Sequence, residues 1–144
     1  MRLAKIFALS ITFVITTLSS VLAVASTDYC KNINGTWKGS GYADFTFGKC
    51  SYSGEGTITR LDNEGNISFD MQLHKVSGSG VDTICYSALP IEGSGFCKDN
   101  QLEFRLNGVR YNSKLDQNMS IMVEDHTKVM KTIPTYIKAT LEKK

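Results

Sequence analysis

Proline, histidine and tryptophan are scarce: 2, 2 and 1 in 144 residues. So little proline, in a chain that is 42% hydrophobic, excludes a collagen-like repeat and a disordered low-complexity chain. No linker, internal repeat or biased segment divides the sequence, so it reads as one ordinary domain. No Cys-x-x-Cys pair is present, and zinc sites usually supply their ligands in such pairs. No stretch shows a convincing 3.6-residue period, and the segment from Asp125 to Thr132 offers one helical turn at most. No glycine-rich run opens a helix, so none cradles a phosphate. Charge of one sign is also missing. The 16 basic and 14 acidic residues give a net +2, too small a surplus to favour a nucleic-acid backbone.

What is present begins with a leader. Arg2 and Lys5 precede an apolar run from Ile6 to Val14, then hydroxyl residues, then Val21-Leu22-Ala23-Val24-Ala25. The positive start, apolar middle and Ala-x-Ala end are those of a cleaved signal peptide over residues 1–25. Its hydroxyl residues and small-residue end argue against a retained membrane anchor. Cleavage leaves 119 residues, with 14 basic and 14 acidic groups. The expected location is periplasmic or secreted, with no membrane span after cleavage. Residues 26 to 104 then carry 6 basic and 10 acidic groups, and 105 to 144 carry 8 and 4.

The 4 cysteines, Cys30, Cys50, Cys85 and Cys97, all lie in the exported part. An even number in an exported domain reads as two disulfides. Of the three pairings, Cys30–Cys50 with Cys85–Cys97 is preferred, because each pair would enclose one local excursion of chain.

Apolar and polar residues alternate through the remaining sequence, the mark of strands with one buried face. From Gly35 to Phe47 the odd positions are Gly, Trp, Gly, Gly, Ala, Phe and Phe. A strand that long, relieved by glycine, suits a sheet that curls. Further inward series are Ile67, Phe69, Met71 and Leu73; Leu102, Phe104 and Leu106; Leu115, Met119, Ile121 and Val123; and Ile137, Ala139 and Leu141. Weaker strands are expected near Tyr52–Arg60, Val81–Ala88 and Ile91–Cys97. Turn clusters at 62–65, 77–80, 98–100 and 107–108 separate them. The expectation is an all-β, disulfide-bonded domain over 26–144: an antiparallel up-and-down barrel of about eight strands.

The opening Gly35-Thr36-Trp37-Lys38-Gly39-Ser40-Gly41 resembles the first strand of calycin-type barrels, the group of lipocalins, avidins and nitrobindin-like proteins. The strand Tyr136-Ile137-Lys138-Ala139-Thr140-Leu141-Glu142 resembles their closing strand. The resemblance implies a barrel with Trp37 plugging one end. It implies no particular ligand. The lipocalin arginine near the last strand is replaced by Lys138, Lys143 and Lys144, and His74 and His126 do not match an inward haem ligand. The avidin array of polar ligand contacts has no counterpart.

An eight-stranded barrel is either just filled by side chains or holds one small ligand. Trp37, Phe69, Met71, Phe104 and Met119 are the candidate contacts for a small apolar molecule, and they suit a filled core equally. The alternative is a rigid scaffold that binds another exported protein, such as an enzyme it inhibits. The candidate surface is then Leu89, Pro90 and Ile91, on a loop pinned between Cys85 and Cys97. Catalysis finds little support. Asp70, Gln72 and His74 share a solvent face, Glu124-Asp125-His126 is a hydrophilic run, and no nucleophile sits in a recognisable turn. No metal and no cofactor is expected.

Overall fold

The computed structural model describes residues 26–79, 85–106, 108–129 and 132–144. The leader expected over 1–25 lies outside the described residues, as does the first half of the strand expected over 81–88. A short 3-10 turn, Tyr29–Asn32, leads into eight strands: β1 Gly35–Phe45, β2 Gly48–Arg60, β3 Asn66–Ser79, β4 Ala88–Lys98, β5 Gln101–Leu106, β6 Val109–Lys114, β7 Ser120–Val129 and β8 Ile133–Lys143.

The strands form one antiparallel sheet in the order β6-β5-β4-β3-β2-β1-β8-β7. Each strand pairs with its neighbour in sequence except β6 with β7, and the first strand pairs with the last. The result is an up-and-down barrel, nearly closed. At the β6–β7 seam, an isolated bridge joins Leu115 to Ile121, and the Ser113 hydroxyl donates to the Met122 carbonyl.

Alternation explains which face is inside. Trp37, Ile58, Ile67, Phe69, Met71, Leu102, Phe104 and Ile121 are all buried at inward positions. At the end where β1 begins, Trp37 packs with Ile33, Cys30, Leu115 and Ile121. We call this the Trp37 end. The opposite end holds a second cluster, in which Cys50, Tyr52 and Cys85 pack with Phe45, Leu73 and Leu89. The β4–β5 hairpin turns through Asp99 and Asn100, both at positive φ (51° and 64°), as a two-residue turn matched to strand twist requires. The Asn100 side chain also holds the N-terminal segment, accepting from the Tyr29 amide at 2.6 Å and donating to the Thr27 carbonyl at 2.8 Å.

Both disulfides form, with the other pairing. Cys30 is bonded to Cys97 and Cys50 to Cys85, at Cα separations of 5.5 and 5.7 Å. The preferred Cys30–Cys50 pair is excluded by strand length. Cys30 precedes β1 at the Trp37 end, and Cys50 lies at the far end of the same barrel. Eleven extended residues separate those ends by about 33 Å, against the ~7 Å limit for a disulfide.

Five expectations about elements are corrected. Phe47 is not an inward strand residue: β1 stops at Phe45, and Phe47 stands 44% exposed in the hairpin turn. Cys85–Ser87 are not strand, and Leu89, Pro90 and Ile91 are not a loop, because β4 already runs from Ala88. Asp125–Val129 continue β7, with cross-strand partners on β8, and are not helical. The series from Leu115 to Val123 is broken by the turn Asp116–Met119, and β6 was not expected at all. The number eight is right, although of the strand expected over 81–88 only Ala88 is seen in a strand, at the start of β4, and β6 was missed.

Candidate functional site: an apolar cavity in the barrel

Between the two end clusters the barrel is not filled. A cavity of about 260 Å³ lies there, walled by inward residues of β1 to β8. Its origin is legible along β1, whose inward positions after Trp37 are Gly39, Gly41 and Ala43, facing Leu141, Ala139 and Ile137 on β8. Three consecutive small residues leave unfilled what larger ones would occupy. Gly41 has a further reason to lack a side chain: a Cβ there would stand 2.5 Å from the Lys138 carbonyl oxygen. The strand bends against β8 so tightly that any other residue would force it away.

The wall is apolar almost throughout. Phe69 and Phe104 meet edge to face, with ring centroids 5.4 Å apart at 89°, an arrangement aromatic pairs favour. Met71, Leu73, Leu89, Ile91 and Leu106 continue the surface. Two tyrosines, Tyr52 and Tyr111, also line it. Burial pushes the Tyr52 phenol up from its ordinary pKa, aided by Tyr86. Burial likewise raises Tyr111, with the Asp125 carboxylate adding to the effect. Both are therefore neutral donors at physiological pH.

Of the five ligand contacts expected from sequence, Phe69, Met71 and Phe104 line the cavity. Trp37 does not. It is wholly buried in the Trp37-end cluster, where its indole N–H donates to the Ile33 carbonyl at 2.9 Å. Met119 does not either: it sits at positive φ (55°) in the β6–β7 turn and packs on that same cluster. Leu89 and Ile91, expected on an exposed tip, line the cavity, because alternation in β4 turns both inward. Pro90 between them is exposed. Tyr52 and Tyr111 were missed as contacts. Tyr52 enters the sequence reading only as the start of a weaker strand, and Tyr111 lies in the strand that was not expected.

Asp70, Gln72 and His74 are exposed on the outer face of β3. Glu124 and His126 face outward from β7, where the Tyr136 hydroxyl donates to Glu124 and the His126 ring lies 4.9 Å from the Tyr136 ring. Asp125 turns the other way, beside Tyr111. The three consecutive side chains therefore do not converge.

No family model matches the chain, and no curated protein or solved structure is significantly similar to it. The eight-stranded, nearly closed antiparallel barrel is compatible with a calycin-like architecture. Among the described residues, no helix is long and apolar enough to cross a membrane. Two disulfides are what an oxidising compartment such as the periplasm or the extracellular space permits.

Proposed function

We propose that the protein is an exported, non-catalytic binding protein of calycin type that holds a small apolar molecule inside its barrel. The observation that carries this reading is the 260 Å³ cavity with its apolar, aromatic-lined wall. An apolar hole of ~150 Å³ is enough to stay dry and take up benzene, so this one suits a fused-ring or short branched hydrocarbon skeleton. Leaving such space empty forfeits dispersion contacts that a filled core would make. A ligand restores them. Tyr52 and Tyr111 extend the aromatic wall available to such a ligand. Export is supported by the leader-like pattern of residues 1–25 and by the paired cysteines.

The test is native mass spectrometry of the oxidised protein isolated from its own source. A reproducible small adduct, released by organic solvent and absent from a variant whose cavity is filled, is the expected result. An adduct-free mass across preparations, with no uptake of added apolar compounds, would overturn the reading.

A further inference from the structure

The two ends of the barrel are blocked and its side is not. Cys30–Cys97 and Trp37 close one end, and the Cys50–Cys85 bridge with Phe45, Leu73 and Leu89 packs across the other. The wall is short at one place. β5 and β6 have six residues each, whereas β4 has eleven and β7 ten. The β4–β5 ladder therefore covers Ser94–Lys98, and among the described residues Ala88–Gly93 of β4 are paired on the β3 side alone. Across the gap, β7 has β8 on one side; on the other it is joined to β6 at Leu115 and Met122, with Asp125 beside Tyr111. Above the β5–β6 hairpin, the sheet formed by the described residues thus has two edges that face each other without a strand between them.

A surface groove occupies that gap. Ile91, Leu106, Tyr111 and Ile137 line both the groove and the interior cavity. The groove's outer rim is Pro90, Glu92, Val109, Thr127 and Lys128, polar apart from Pro90 and Val109. The free edge is built to stay free: Pro90 has no N–H to offer a neighbouring strand, and proline inside a strand is confined to edges or bulges.

We propose that this gap is a lateral portal, through which an amphiphile passes its apolar part into the cavity while its polar end stays among Tyr111, Thr127 and Lys128. The proposal rests on the reading of the cavity as a ligand site and adds the route and the ligand's two-part chemistry. An apolar body matches the cavity wall; a polar end matches a rim that combines a hydroxyl, a threonine and an ammonium.

The experiment is stopped-flow fluorescence with two dyes of one frame, neutral N-phenyl-naphthylamine and its sulfonated analogue, anilinonaphthalene sulfonate. Val109 stands 41% exposed on the portal rim and does not line the cavity, so V109W narrows the portal alone. A barrier on the path slows arrival and departure equally, so both rates should fall roughly tenfold with Kd changed less than about twofold. V109A, which widens the portal, should raise both rates and guards against a misfolded tryptophan variant. S77W, on the rim of the Cys50–Cys85 end, should leave both rates unchanged. The sulfonated dye should bind the wild type with its charge outside. Slowing by S77W and not by V109W, rates indifferent to both valine variants, or exclusion of the sulfonated dye while the neutral dye binds would each overturn the portal while leaving the cavity reading intact. Absence of saturable binding of either dye to the wild type would overturn both.

Discussion

The indole N–H of Trp37 reaches the carbonyl of Ile33 at 2.9 Å, and both residues are completely buried. This bond ties the segment before β1 to the strand itself and fixes the plug at one end of the barrel. Replacing Trp37 with Phe removes the donor and part of the ring while leaving the Ile33 carbonyl buried. A lost buried partner and a small hole together cost about 3 kcal/mol. A urea titration followed by far-ultraviolet circular dichroism should show the midpoint lowered with an unchanged slope.

The two disulfides should contribute unequally. Cys30–Cys97 closes 67 residues and Cys50–Cys85 closes 35. On the chain-entropy account these loops are worth about 4.4 and 3.8 kcal/mol. Removing the Cys30/Cys97 pair by double alanine substitution should therefore lower stability slightly more than removing Cys50/Cys85. Peptide mapping of the unreduced protein should return the two crosslinked pairs and neither of the adjacent-cysteine pairs.

On the outer face, the Tyr136 hydroxyl donates to Glu124, and Lys138 pairs with the same carboxylate at 3.9 Å. That hydrogen bond, above all, pushes the Tyr136 phenol up from 10.0 to about 12. The folded state therefore holds this proton more tightly than the unfolded chain does. The resulting stability is fully present below pH 10 and is lost as pH rises from there towards 12. Absorbance titration of phenolate should show a late component that is missing in Tyr136→Phe and shifted back down in Glu124→Gln.

Much of this architecture is visible in the alternation of residues. Ile67, Phe69 and Met71, or Leu102 and Phe104, declare their inward face because a sheet with one buried side must repeat every second residue. The failures have physical causes. β6 places Tyr111 and Ser113 inward, so it shows no apolar alternation to detect. Pro90 reads as a break, yet β4 tolerates it where it lacks a neighbour on one side. The cysteine pairing misled because neighbours in sequence lie at opposite ends of long strands. The cavity was the least legible feature. It depends on the small inward row Gly39, Gly41 and Ala43 meeting β8 with Gly41 opposite Ala139, which only the β1–β8 register reveals.

The central claim is that the barrel takes up an apolar molecule where β1 is too small to fill it. Val123 lines that space from β7, opposite Ala139. Substituting Val123→Phe should place a ring in the cavity. Filling a pre-existing hole without strain commonly adds ~0.5–2 kcal/mol, so the melting temperature should hold or rise. The direct measurement is a fluorescence titration of N-phenyl-naphthylamine into wild type and V123F. The account expects one saturable site in the wild type and none in an equally stable V123F. Equal binding by both proteins, or no saturable binding by the wild type, would contradict it.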